Sequence, residues 1–365
     1  MLLLDTKYCW AWDRIYVKAN GRVPCWCDAG ETHTVVHKQF DEVDFIQDIV
    51  NSEQMRGMRN KIIFDNKNYI KECGTCCCMV DGNRGEHFRF SDRQQPNSEP
   101  SQKSIKTAEI MRLVHEKRSW PIGSIDRISE IQLEPSFPCN LKCPGCLQGF
   151  HENPMSTEIG PYIFPYPWFE KMIRSIINNQ VELNRIAFVG RGEPTLNSRY
   201  PDMIKFARGT MPDLIMSMDT NSNQQFKPEY LSLNWINCSI DGSDQDSYGM
   251  YRRGGRFDKA LEFMRSGTEM KKHENSKWTT TFGRVSCKIK WKYILFDSND
   301  SDECINRAQR IATSLGIDEL DLIITHCGAH DGSVKPSPRF KTLEKLNQYI
   351  VANPLFNKTI GSHAT

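Results

Sequence analysis

The sequence predicts an α/β fold on three observations. From residue 128 onward, short apolar segments alternate with amphipathic helical ones. Polar and glycine-rich turns follow several of the apolar segments. Residues 1–80 lack that alternation and carry seven of the 14 cysteines instead. Strands are predicted at 128–134, 185–190, 213–219, 235–240, 286–296 and 319–325, and helices near 166–179, 200–209, 256–273 and 302–315, with Gly316 placed to end the last of these. Alternating strands and helices imply a parallel sheet with right-handed crossovers. Six such strands suit an open barrel or a doubly wound sheet, and in both the polar residues at strand C-terminal ends converge on one face.

The organisation before and after this body is different. Within residues 1–80, Arg14–Val17 and Arg22–Pro24 predict a strand pair turning at Asn20-Gly21, and a helix is predicted from Val43 to Met58. Residues 81–127 read as a linker, most polar at 94–102, followed by a helix that Ser104 caps and that runs to about Lys117. The body is placed at 128–330, and a C-terminal helix and tail at 331–365.

Composition excludes several classes. A formal net charge of +2 gives no argument for a nucleic-acid or membrane partner. No apolar stretch reaches the roughly 20 residues that span a bilayer, and Met1–Leu4 is too short an apolar run for a secretory signal. A cytoplasmic location is therefore expected, and in a reducing compartment so many cysteines point to metal rather than disulfides. Lys288, Lys290 and Lys292 alternate along a predicted strand and read as a solvated face. Cys287 and Cys304 read as small buried hydrophobes.

The chemistry concentrates in Cys139-Asn-Leu-Lys-Cys143-Pro-Gly-Cys146, directly after the first strand of the body. Three thiolates on one short loop suit three irons of a four-iron, four-sulfur cluster, which usually takes four cysteines. The fourth iron is left for another ligand. A structural zinc is the competing reading, although it usually takes a fourth cysteine or histidine. The spacing resembles the signature of the radical S-adenosylmethionine (radical SAM) enzymes. Three further segments extend the resemblance: Gly190-Arg-Gly192-Glu193-Pro194 after the second strand, Asp219-Thr-Asn221-Ser-Asn223 after the third, and Cys238-Ser239-Ile-Asp241-Gly242 with Tyr248 and Arg252 after the fourth.

The resemblance implies a partial (β/α)6 TIM-like barrel. It implies that the cluster on Cys139, Cys143 and Cys146 binds S-adenosylmethionine and cleaves it reductively, giving a 5′-deoxyadenosyl radical that abstracts hydrogen from a substrate. An external one-electron donor such as flavodoxin or ferredoxin is implied with it. Gly190 and Gly192 would allow close backbone approach to the ligand, Glu193 would accept from its ammonium group, and Asn221 would lie in the turn beside it. Ser239 and Asp241 would lie near the ribose, and Arg252 near the carboxylate. Many members carry an aromatic residue before the third cysteine, against the adenine; here that residue is Gly145, and Phe137, Phe150 and the segment around Phe296 are the candidates in its place.

The amino-terminal cysteines resemble a SPASM cluster-binding extension, normally found after the barrel. Cys9, Cys25, Cys73 and Cys76 are the expected ligands of one auxiliary four-iron cluster, with Cys27, Cys77 and Cys78 as further candidates and a zinc ribbon as the alternative. His326 and Cys327 close the sixth strand and are candidate catalytic residues. The expected activity is an oxidoreductase-type oxidation or rearrangement of a small metabolite such as a sugar or cyclitol. Modification of a peptide or protein is the alternative, and a non-catalytic iron–sulfur or zinc protein is the reading of another class.

Overall fold

The computed structural model describes residues 13–24, 34–36, 40, 42–64, 121, 123–150, 162–274 and 287–355. The cysteines expected to hold an auxiliary centre (Cys9, Cys25, Cys27, Cys73, Cys76, Cys77 and Cys78), residues 81–120 of the linker segment with its helix at 104–117, and the tail at 356–365 lie outside these residues. The chain divides into two compact units, one within Met1–Leu133 and Pro167–Arg185, the other within Glu134–Tyr166 and Ile186–Thr365.

The first unit contains β1 (Arg14–Val17), β2 (Val23–Pro24), β3 (Thr34–Val36), α1 (Glu53–Phe64), β4 (Arg127–Ile128), β5 (Glu130–Leu133), most of α2 (Tyr166–Asn178) and β6 (Glu182–Leu183). The expected hairpin is corrected. Its turn forms, with Gly21 at φ 81° and Lys18 donating its N–H to the Arg22 carbonyl at 2.9 Å, but the strands pair elsewhere. β1 runs parallel to β5, Ile15 opposite Ile131 and Val17 opposite Leu133, while β2 pairs antiparallel with β3. Ile15, Tyr16 and Val17 are all buried, as in a strand covered on both faces.

The helix expected at 43–58 is broken in two. Asp44 caps a π-helical turn at Phe45–Val50, and Asn51 ends it by bonding the Ile125 backbone, accepting its N–H at 2.9 Å and donating to its carbonyl at 3.0 Å. The strand expected at 128–134 is interrupted at Ser129, whose N–H goes to Asp13. β4 then pairs with β6 while β5 pairs with β1.

The second unit contains most of β7 (Arg185–Phe188), α3 (Tyr200–Thr210), β8 (Ile215–Thr220), β9 (Trp235–Ser239), α4 (Gln245–Tyr251), α5 (Phe257–Glu274), β10 (Lys288–Leu295), α6 (Asp302–Leu315), β11 (Glu319–Ile324) and α7 (Leu343–Ala352). Its strands lie in chain order, β7-β8-β9-β10-β11, with β8, β9, β10 and β11 parallel. That succession has no reversal of strand order, which a doubly wound sheet shows at its switch point. Among the described residues no sheet closes on itself. Helix α4 is an addition, started by a capping box in which Asp244 and Ser247 satisfy each other's backbone N–H groups.

Strand alternation splits the sheet into two faces. Ile289, Trp291, Tyr293 and Leu295 are fully buried, beside Ile236, Cys238, Leu320 and Leu322. The opposite face is polar and corrects the expectation of a solvated lysine row. Lys288 is exposed, but Lys292 is buried and pairs with Asp219 at 3.0 Å, while Lys290 and Lys288 share Glu319. The lysines alternate because neighbouring strands set carboxylates beside them.

Candidate active site

The cysteine loop leaves Glu134, at the start of the second unit, and is pinned by backbone bonds from three distant segments. Glu193 N–H donates to the Pro138 carbonyl at 3.0 Å, Lys142 N–H to Arg253 at 2.9 Å, and His330 N–H to Pro144 at 2.9 Å. Cys146 N–H closes a turn onto Cys143 and leads into a helical turn at Leu147–Phe150. Cys143 is buried, and Cys139 and Cys146 are half-buried. Burial pushes the Cys139 thiol up to about 11, and pushes Cys143 up against the opposing pull of Arg252.

The Gly-x-Gly-Glu turn after β7 packs against the lead-in to this loop. A Cβ on Gly192 would lie 2.0 Å from the Ser136 carbonyl oxygen, and one on Gly190 would lie 2.5 Å from Glu134 Oε1. The close approach these glycines allow is thus to the protein's own chain. Glu134, which sequence reasoning missed, accepts the Arg191 N–H at 2.6 Å and so shapes the turn. Glu193 is buried, with both oxygens engaged: Oε1 accepts from the Thr195 and Thr220 hydroxyls at 2.6 and 2.7 Å, and Oε2 from Asn221 N–H at 2.7 Å. Burial raises its pKa against these hydrogen bonds.

Asn221 reaches the cysteines. Its Nδ2 lies 2.8 Å from Asn140 Oδ1 and 3.6 Å from Cys139 Sγ. The next residue, Ser222, takes φ 59°, a left-handed conformation that favours glycine. Asn223 then bonds the Tyr248 hydroxyl at 2.7 Å and takes the Arg256 N–H at 2.7 Å.

Asp241 is fully buried just beyond β9. Its Oδ1 accepts Ile294 N–H at 2.8 Å, and its Oδ2 accepts Arg252 Nε–H at 2.6 Å. Trp291 Nε1 and Asn299 Nδ2 hold the Ile240 and Asp241 carbonyls at 2.7 and 3.1 Å. The far end of the guanidinium sets Nη1 3.8 Å from Cys143 Sγ. Burial works against the charge on Arg252, but Asp241 and then Cys143 outweigh it and raise its pKa.

A further aromatic was missed in the sequence. Tyr251 stacks on Phe296 with ring centroids 4.4 Å apart, and its hydroxyl lies 2.7 Å from where a Cβ on Gly145 would sit. The Arg252 guanidinium lies 5.5 Å from the same ring. Phe296 thus lies near Gly145 through Tyr251. Ser239 is buried at the end of β9, in register with Lys292. His326 and Cys327 follow β11; Thr325 Oγ1 accepts Cys327 N–H at 3.1 Å, and Cys327 is exposed. The adjacent Gly328 carbonyl lies 2.9 Å from the Cβ position of Gly145, which puts Cys327 one residue from the cysteine loop.

No protein-family model matches the sequence, and no curated protein does. Among solved structures the chain is similar to SuiB of Streptococcus suis bound to S-adenosylmethionine, with 16% identity, 73% of this chain covered and a TM-score of 0.49. It covers 56% of SuiB, a little over half that protein's length. It is also similar to a radical SAM methyltransferase from Sphaerobacter thermophilus, with 13% identity, 64% of this chain and 65% of that chain covered, and a TM-score of 0.41. TYW1 with a lysine-pyruvate adduct bound gives 16% identity, 53% and 63% coverage, and 0.36.

The donor set suits a cluster better than a single metal ion. Among the described residues, no three Cys, His, Asp or Glu side chains gather where one metal ion would sit. A four-iron cluster asks for something else, one thiolate per iron rather than several on one ion. Three cysteines on a loop fixed at Pro138, Lys142 and Pro144, two of them facing N–H donors, fit that requirement.

Proposed function

We propose that the chain is a radical SAM enzyme built on an open, partial barrel. The observation that carries this reading is the meeting of Asn221 with Cys139 and of Arg252 with Cys143, which joins the cysteine loop to the turn after β8 and to the end of α4. Cys139, Cys143 and Cys146 would hold a four-iron cluster, and Ser239, Tyr251 and Arg252 would line the place of S-adenosylmethionine. When bound, the cluster supplies the electron that cleaves this cosubstrate and so starts hydrogen abstraction. The chain itself orients and encloses: Gly190 and Gly192 let the turn seat against the loop, and Glu193 and Asp241 act from behind the ligand surface. His326 and Cys327 stand at the end of β11 as candidates for proton or hydrogen transfer.

The proposed substrate is a small polar metabolite. What supports this is the sheet face carrying Asp219, Asn237, Ser239 and Lys292, where Asn237 Nδ2 and Lys292 Nζ both reach Asp219, at 2.7 and 3.0 Å. Such a face suits a hydrogen-bonding molecule better than an apolar side chain. The amino-terminal cysteines are proposed to hold an auxiliary four-iron cluster, and electrons are proposed to come from a flavodoxin or ferredoxin. Among the described residues no helix is long and apolar enough to cross a membrane.

The reading is tested by purifying the full chain without oxygen, counting iron and sulfide, and assaying 5′-deoxyadenosine after adding dithionite and S-adenosylmethionine. About eight irons per chain support two clusters, and about four with one zinc support a ribbon in place of the auxiliary cluster. A fully loaded protein that makes no 5′-deoxyadenosine supports a non-catalytic metal protein instead. Deuterated candidate metabolites then report the substrate by label transfer into 5′-deoxyadenosine.

A further inference from the structure

Two buried carboxylates reach two cysteine sulfurs, each through one intervening donor. Glu193 takes the Asn221 N–H and the Thr220 hydroxyl, each at 2.7 Å, and Asn221 Nδ2 then lies 3.6 Å from Cys139 Sγ. Asp241 takes Arg252 Nε–H at 2.6 Å, and Arg252 Nη1 lies 3.8 Å from Cys143 Sγ. Glu193 is 2% exposed and Asp241 0%, so neither offers surface to a ligand. Both carboxylates are also tied to their own surroundings, Glu193 through the Thr195 hydroxyl and Asp241 through the N–H of Ile294 on β10.

Resting on the radical SAM reading, we infer that Asn221 Nδ2 and Arg252 Nη1, anchored by Glu193 and Asp241, donate to the Cys139 and Cys143 sulfurs and raise the reduction potential of the cluster bound there. Reduction adds negative charge to a cluster. N–H donors on its sulfurs therefore favour the reduced state, and hydrogen bonds to sulfur are among the determinants of cluster potential. Partners one shell out fix the orientation of groups around a metal. The Asp241–Arg252 pair is neutral as a whole but presents its positive end to Cys143, and guanidinium keeps its charge at any working pH. Arg252 is consequently the stronger of the two donors, and Asn221, a neutral amide, the weaker.

The test is a redox titration of the anaerobically reconstituted full chain without S-adenosylmethionine, followed by electron paramagnetic resonance of the reduced cluster. Arg252→Gln is expected to move the midpoint to a more negative value at unchanged iron content. Asn221→Ala is expected to move it the same way by less, and Arg252→Lys, which keeps the charge but not the fork, to fall between parent and Arg252→Gln. If Arg252→Gln takes up no iron, Asn221→Ala and Arg252→Lys carry the comparison. Loaded variants with the parent's midpoint would overturn the inference and leave the radical SAM reading standing. A parent chain that takes up no four-iron cluster would overturn both.

Discussion

Asp241 Oδ2 and Arg252 Nε lie 2.6 Å apart in a buried ion pair whose other end faces Cys143. The pair joins the end of β9 to the end of α4, and through Ile294 N–H it is also bonded to β10. Removing one partner strands a buried charge. Asp241→Ala is predicted to cost about 3–5 kcal/mol of stability. Combining Arg252→Met with it should recover part of that loss, read as a coupling energy by chemical denaturation of the single and double variants. Fully additive losses would mean that the two side chains do not depend on each other.

The glycines of the turn after β7 should differ from surface glycines. A Cβ on Gly192 would lie 2.0 Å from the Ser136 carbonyl oxygen and 2.4 Å from that of Phe137, while one on Gly209 in α3 meets nothing within 4 Å. Gly192→Ala is predicted to lose at least about 2 kcal/mol and to lower iron uptake. Gly209→Ala is predicted to gain about 0.5–1 kcal/mol. Denaturation midpoints and iron counts check both, and a neutral Gly192→Ala would refute the close packing.

Gly145 and Tyr251 should be coupled. A Cβ at 145 would meet Tyr251 Oη at 2.7 Å and the Gly328 carbonyl at 2.9 Å. Gly145→Ala is expected to cost about 1–3 kcal/mol, and less in a Tyr251→Phe background. Costs that match in both backgrounds would separate the two residues.

The metal-free protein should lose stability in alkaline solution through Cys139. Its folded pKa of about 11 lies above the ordinary 9.0, so the unfolded chain ionises first and holds fewer protons between these values. Stability then falls as pH rises from 9 towards 11, by up to about 1.4 kcal/mol per pH unit. Cys139→Ala should lack this part of the slope, measured by urea denaturation at several pH values. Equal slopes would show that Cys139 is not held as a thiol.

Much of this was legible in the sequence because it is local. Apolar alternation placed β8 to β11 to within one or two residues, and the Cys139–Cys143–Cys146 spacing with the Glu193, Asn221 and Asp241 turns marked the segments that meet. What these residues touch was not legible, since it depends on pairings across the fold. Glu193 and Asp241 read as ligand groups, yet their oxygens are taken by Asn221 and Arg252. Lys292 read as solvated because Asp219, 73 residues earlier in the chain, supplies its partner. β1 read as half of a hairpin because its true partner, β5, lies beyond residue 128. Tyr251 carried no spacing signal, and its place beside Gly145 comes from the seating of α4.

The decisive measurement is 5′-deoxyadenosine formation by the loaded full chain with dithionite and S-adenosylmethionine, compared with Cys143→Ala. 5′-Deoxyadenosine and methionine are expected in equal amounts from the parent chain and neither from the variant. A parent chain with its four-iron cluster in place that leaves S-adenosylmethionine intact would contradict the radical SAM reading.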